Sequence, residues 1–429
     1  MPRKKLLAAI CLLLTMLVLG STAAAQEPAQ DAQEVKDQTK VAPSAPQGAK
    51  SLVDDVMENI RQRFGFSLGI HGLYESKIFN GGPQQNASTA AAFSVRVYGN
   101  LGRRRSRFHF NYGLGYRIQA NNVRTIDSSN HYGNVQYSLQ LSRRTTLQIS
   151  DQISSSPYAF GGFLQPVLGP GGPTQGFSTE VFLGRQRFTR NACAGTLSFA
   201  TPKNHFSIIS DYQFYRFRSV TDVNVHAVQL GATYERDITR WLSLSSGYSA
   251  YLNNVDARFR DARIHRLQVG GMNFKLGRNW QLSAVGGIEL ANTSGTNRWG
   301  GSANAQLSWH TRASTLVVTY DRGFNSAVGL ARVLQSQTAT LACGSRLTQW
   351  MNLQLSASYV RGAAFLDAGA LRYYIAHAGL GFALSSNLVA SLSCFYQNQH
   401  GQNLVAVPQT SAGYVGSVGL QYLFPGRRR

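Results

Sequence analysis

From Phe64 to the end of the chain, apolar and aromatic residues recur at every second position. Phe108, Phe110, Tyr112, Leu114, Tyr116 and Ile118 alternate with Arg107, His109, Asn111, Gly113, Gly115 and Arg117. Val135, Tyr137, Leu139 and Leu141 face away from Asn134, Gln136, Ser138 and Gln140. A period of two puts the apolar set on one face of an extended strand and the polar set on the other. After residue 25 no apolar stretch reaches the ~18 residues that a spanning helix needs. Mean hydropathy is slightly negative, −0.18, yet alternation hides a fully apolar face from any average. The pattern therefore predicts β-structure throughout, with one greasy face and one wettable face.

About eighteen such segments are expected, each roughly ten residues long, the length that takes a tilted strand across a bilayer. Between them, short connections rich in turn residues (102–105, 142–145, 201–204, 277–279, 311–313, 385–387) alternate with longer ones (76–88, 119–131, 155–178, 253–262, 291–298, 361–370, 398–411). Short turns at one end and long loops at the other predict an all-β fold: a transmembrane antiparallel up-and-down β-barrel of about 18 strands, within a range of 16–20. In 264–276 the apolar parity switches at Gly270-Gly271, where a bulge would add one residue.

Aromatic side chains mark the two ends. Trp241, Trp280, Trp309 and Trp350 each lie beside a short turn, whereas Tyr74, Tyr116, Tyr132, Tyr320, Tyr359, Tyr374 and Tyr396 lie beside long connections. Rings with one apolar and one polar edge collect at membrane interfaces, so two belts are expected, with the tryptophans as interface residues.

The N-terminus has the order of a secretory signal: Pro2-Arg3-Lys4-Lys5, an apolar run from Leu6 to Leu19, and Ala23-Ala24-Ala25. Residues 1–25 are expected to be removed. Residues 26–50 lack aromatics and predict a disordered periplasmic linker. Ser51 as N-cap, followed by Leu52, Val53, Val56, Met57 and Ile60, predicts a short amphipathic helix within 51–63. The barrel is expected over 64–424, with a basic tail at 425–429.

The last strand, Ser417-Val418-Gly419-Leu420-Gln421-Tyr422-Leu423-Phe424, must pair with the first, because an open edge in hydrocarbon leaves backbone groups unsatisfied. It also resembles the C-terminal signal of outer-membrane barrel proteins, with Gly419, Tyr422 and Phe424 at the marked positions. With the strand pattern and the signal-like start, the chain resembles porin-like outer-membrane β-barrels as a class. That resemblance implies the outer membrane of a Gram-negative-type bacterium and delivery by the barrel-insertion machinery. It implies outer-membrane lipid as solvent and a homotrimer as the common assembly.

Assigning the apolar set outward leaves Arg96, Arg107, His109, Arg117, Asp211, Arg266, Glu289, Asp321 and His377 as lumen candidates. The longest connection holds Phe160, Phe163 and Leu164, apolar for a loop in water. It either narrows the lumen as a constriction loop or packs as a lid. The charge is strongly basic, with 42 Lys+Arg against 20 Asp+Glu and a net +22. Lumen arginines would concentrate anions. Arginines beside short turns, such as Arg103–Arg105, Arg143, Arg144, Arg278, Arg312 and Arg346, would instead meet lipid headgroups.

Catalytic signals are weak. Gly65-Phe66-Ser67-Leu68-Gly69 matches G-x-S-x-G, but that motif works at a strand-to-helix elbow, and here it lies inside an alternating strand. His226 near a long connection is the one hint of a lipid-face hydrolase. The histidines are dispersed, so no metal site and no cofactor are expected. Cys193, Cys343 and Cys394 are too few and too far apart for a disulfide framework. No enzyme activity and no nucleic-acid partner are expected. The expected function is a passive channel for small polar solutes, leaning to anions. An export barrel for an acidic polysaccharide and a plugged structural or adhesion barrel are the alternatives.

Overall fold

The computed structural model describes residues 64–75, 88–103, 105–120, 125–156, 178–180, 188–217, 224–255, 262–293, 295–328, 332–364, 369–402 and 410–425. The chain divides into two units, 1–41 and 42–429, and all described residues belong to the second. The expected signal, linker and 51–63 helix lie outside the described residues, as do Phe160, Phe163, Leu164 and residues 426–429.

Nineteen strands follow one another. They are β1 (Phe64–Glu75), β2 (Ser88–Arg103), β3 (Ser106–Ala120), β4 (Thr125–Gln140), β5 (Thr145–Ser156), β6 (Ser178–Glu180), β7 (Phe188–Ala200), β8 (Asn204–Phe217), β9 (Val225–Asp237) and β10 (Leu242–Val255). Then come β11 (Ala262–Leu276), β12 (Trp280–Thr293), β13 (Thr296–His310), β14 (Ser314–Val328), β15 (Arg332–Arg346), β16 (Met351–Ala364), β17 (Ala370–Ala383), β18 (Leu388–Gln402) and β19 (Thr410–Pro425). Each pairs antiparallel with its sequence neighbours, except that β5 pairs directly with β7 and leaves β6 outside the ring. β1 closes on β19, with Phe66 opposite Phe424 and Leu68 opposite Tyr422. The result is a closed ring in which each of the eighteen strands is paired on both sides, the solution hydrocarbon demands of a sheet.

The alternation sorts as expected. Phe66, Leu68, Ile70, Phe93, Val95, Val97, Leu114, Ile118, Val418 and Leu420 are exposed, while the intervening Ser67, Ala92, Asn111 and Ser417 are buried. Exposed apolar residues on so many strands form a continuous outer girdle facing lipid. The parity switch at Gly270-Gly271 is a bulge: the β11–β12 register shifts between Val269 and Met272, and Gly270 has φ 72°. Phe66 and Phe424 stack with centroids 4.0 Å apart across the closing pair.

The short turns share one device. Ser142, Thr201, Thr239, Thr311 and Ser385 each accept the backbone N–H three residues on, at 2.9–3.1 Å. A hydroxyl at the first position thus satisfies an amide that the reversing chain would leave unpaired.

Three expectations need correction. The strands of the ring run 12 to 16 residues, rather than about ten. The connections expected at 119–131 and 291–298 are largely strand: Thr125 pairs Ala120, and Thr296 pairs Thr293. Beyond the hydrocarbon, strands keep their hydrogen bonds but need no apolar alternation, so periodicity ends before the ladder does. Tyr132 is not a belt residue. It is 3% exposed, on the inward face opposite Gly113 and Ser154. Tyr74, Tyr116, Tyr320, Tyr374 and Tyr396 are exposed on the outer face.

One seam is incomplete. The β13–β14 ladder runs from His310/Thr315 only to Ala303/Arg322. Above it β14 leans into the barrel, and its end pairs in parallel with β6 at Ser326–Val328. Alternation would put Phe324 outside with Tyr320. Instead it is 2% exposed and clusters with Tyr251, Ala262, Ile264, Ala291 and Val333. Gly300 makes room for it: a Cβ there would come within 2.6 Å of the ring.

Candidate functional site: the inward wall of the barrel

Adjacent strands carry the inward parity in register, so the wall is built pair by pair. Asp211 stands opposite Ala194, Arg266 opposite Glu289, Asn304 opposite Asp321, and Ser356 opposite His377. All nine lumen candidates have inward parity, but their surroundings differ. Arg107 is exposed beside the β2–β3 turn. His109 is half-buried, with Nδ1 2.6 Å from Asn100 Oδ1. Arg96, Asp321 and His377 are half-buried, and Asp321 Oδ2 accepts from Asn304 Nδ2 at 3.3 Å. Arg117, Asp211, Arg266 and Glu289 are buried.

Arg266 and Glu289 depart most from the expectation of a wet pore wall. Glu289 is 0% exposed. Its Oε1 accepts from Arg266 Nε, and its Oε2 accepts the Phe324 backbone N–H at 2.6 Å. Arg266 Nη1 donates to the Tyr251 hydroxyl at 3.2 Å, and the guanidinium lies 5.2 Å from the Tyr251 ring centroid. Gly323 covers the pair: an added Cβ would meet Arg266 Nη2 at 2.6 Å. These two charges neutralise each other and anchor the inward lean of β14. They do not offer a free cation to solute. Alternation in sequence sets the inward parity of Arg266 and Glu289 but not their cover, because Gly323 and Phe324 break that alternation.

Arg190 was also missed. It faces inward from β7, with its guanidinium 5.5 Å from the Tyr215 ring centroid. The alternation around it, Thr189-Arg190-Asn191-Ala192-Cys193-Ala194, is too weak to assign a face from sequence. The inward face toward the long connections is the more covered half, with Gln213, Gln397 and Gln399 at 2%, 2% and 1% exposure.

The belt beside the short turns has the expected form. Trp241, Trp280 and Trp350 are 49%, 40% and 53% exposed. Trp309 is directly opposite Trp280, with ring centroids 6.0 Å apart. His226 faces outward, but its neighbours are Tyr212 and Phe214 rather than a serine hydroxyl. No group of His, Cys, Asp and Glu among the described residues could hold a metal ion. Gly419, Tyr422 and Phe424 lie on the closing strand, Gly419 inward against His71 and the two rings outward.

The closed antiparallel ring, apolar outside and polar inside, defines a transmembrane β-barrel. No family model matches the chain, and no curated protein does. Among solved structures it is similar to OccK2 (OpdF) of Pseudomonas aeruginosa, at 12% identity and TM-score 0.43, covering 85% of this chain and 98% of that one. OccK9 (OpdG) of the same organism matches at 13% identity and TM-score 0.43, with the same coverage of 85% and 98%. The siderophore receptor PirA of Pseudomonas aeruginosa matches at 12% identity and TM-score 0.41, over 85% of this chain and 80% of that one. The barrel is defined by this chain's own strand register.

Proposed function

We propose that this chain is an outer-membrane channel for passive passage of small polar solutes, with a preference for anions. The observation that carries the reading is the closed eighteen-strand ring with a polar inward face. A cylinder of that strand number is too wide for wall side chains alone to fill, so its interior holds water. The anion lean is supported by inward Arg96, Arg107, Arg117, Arg190 and Lys275 standing against inward Asp211, Glu235, Asp237 and Asp321, with Arg266 and Glu289 cancelling. Arginine pairs with carboxylate and phosphate groups in a two-pronged geometry and is weakly hydrated. Delivery by the barrel-insertion machinery is supported by the aromatic closing strand. A homotrimer is supported by Asp151, Asn191 and Cys193, a polar spot on the lipid face that a neighbouring copy would cover.

A plugged structural barrel is the second reading, favoured by the buried half of the wall and the inward lean of β14. Single-channel recording in planar bilayers separates the two. A steady open pore with chloride preferred over potassium supports the channel, and silence supports the plug. Arg96→Glu with Arg107→Glu should lower the chloride-to-potassium permeability ratio. An unchanged reversal potential would remove these side chains from the path.

A further inference from the structure

Three outward histidines on the long-connection side repeat one geometry. Tyr112 Oη lies 3.0 Å from His131 Nδ1, Tyr212 Oη 2.9 Å from His226 Nδ1, and Tyr248 Oη 2.7 Å from His265 Nδ1. Each tyrosine is directly opposite Gly133, Val228 or Leu267, and each histidine lies two residues further toward the loop. Each pair joins two strands linked by a long-side connection: β3 to β4, β8 to β9, and β10 to β11. A tyrosine hydroxyl donating to Nδ1 selects the tautomer that carries its proton on Nε2. The ring then presents an N–H at the barrel surface.

Cations accompany two of these pairs. Exposed Arg263 follows His265 on the outer face of β11, and exposed Arg216 follows Phe214, whose ring centroid is 4.6 Å from that of His226. A third of the way round, exposed Arg361 and Arg372 are directly opposite each other, above the paired rings of Tyr359 and Tyr374 at 4.8 Å. Like charges facing across two strands repel. An anion between them turns that repulsion into two charge-assisted bonds.

The histidines and arginines fall in one band of height. They lie about 9 to 13 residues from their strands' short-turn ends, at about 2.5 Å of rise each along the membrane normal for a strand tilted by about 40°. That puts them about 25 Å above the tryptophan belt, the height of the apolar band of such barrels. They are therefore at the opposite membrane interface, at headgroup level.

We propose that this rim is a binding girdle for phosphate-bearing lipid headgroups of the leaflet on the long-connection side. Arg361 with Arg372, Arg216 with His226, and Arg263 with His265 are its three strongest contact points. The guanidinium forks take phosphate oxygens, and the histidine Nε2–H groups donate from the wall. The inference rests on the membrane placement but not on solute passage.

The test uses the full mature chain in detergent, titrated with bisphosphorylated lipid A and with the same lipid dephosphorylated, and retention is counted by native mass spectrometry. Retention of the phosphorylated form over the dephosphorylated one is expected. Arg361→Gln with Arg372→Gln should weaken it about thirtyfold, at about fivefold per arginine near a charged surface. Tyr112→Phe, Tyr212→Phe and Tyr248→Phe together, which keep the rings and release the tautomer, should weaken it less. Arg143→Gln with Arg144→Gln, which meet headgroups at the short-turn end, should weaken it far less than the Arg361/Arg372 pair does. Equal retention of both lipids, or equal loss in the Arg143/Arg144 variant, overturns the proposal. An unchanged heat-dependent gel shift in each variant shows that the barrel is intact, and it holds whether or not the barrel conducts.

Discussion

Glu289→Gln removes the charge that holds Arg266 in the barrel wall and changes little else. The structure sets the size of the effect. Glu289 is 0% exposed and Arg266 is 4% exposed, so neither is compensated by water. Losing one partner of a buried ion pair costs about 3–5 kcal/mol, because the other charge stays behind unpaired. Any weakening of the Phe324 N–H bond to Glu289, at 2.6 Å, falls within that range. Arg266→Met should cost a similar amount by stranding the carboxylate. Combining the two should cost much less than their sum, since a buried pair is often nearly neutral against apolar replacements of similar volume. The assay is urea unfolding of the refolded barrel in lipid vesicles, followed by tryptophan fluorescence and by the heat-dependent gel shift of folded barrels. Single variants within about 1 kcal/mol of wild type, or strictly additive costs, would refute the buried-pair account and with it the anchoring of β14.

Gly270→Val should cost about 1–2 kcal/mol in the same assay, because φ 72° is the left-handed region where a Cβ meets the carbonyl; no loss would mean that the bulge relaxes. Asp151→Val should raise the stability of the lone barrel by about 1–2 kcal/mol, since a carboxylate on the lipid face between Ile149 and Ile153 is costly. Cross-linking in the same membranes should show a smaller oligomer share, and an unchanged share would exclude this spot as the contact between copies.

Much of the barrel was legible in the one-dimensional pattern. Leu68, Ile70, Val95 and Leu114 are exposed and Ser67 and Asn111 buried because lipid and lumen sort side chains by alternation alone, whatever lies across the ring. The Gly270-Gly271 bulge was visible because an extra residue shifts that parity. The interfacial tryptophans were visible because the turns beside them are short. The ends of strands such as Thr125–Ser129 were not, since water imposes no alternation on a paired strand. The two kinds of cation were not separable either. Arg266 looks like Arg96 in sequence, and only the third-dimensional approach of Gly323 turns it into a structural group. The Tyr–His pairs were equally hidden, because they join residues 14 to 19 positions apart through a register that no single strand contains.

By itself, then, the chain determined the strand count to within two, the facing of most strand residues, closure of β1 on β19 and the position of the tryptophan belt, because each depends on solvent period and length. The lean of β14, the burial of four of the nine lumen candidates and the cationic rim were decided by tertiary structure. Those depend on which strands become neighbours and how far one of them departs from the cylinder, and alternation is blind to both.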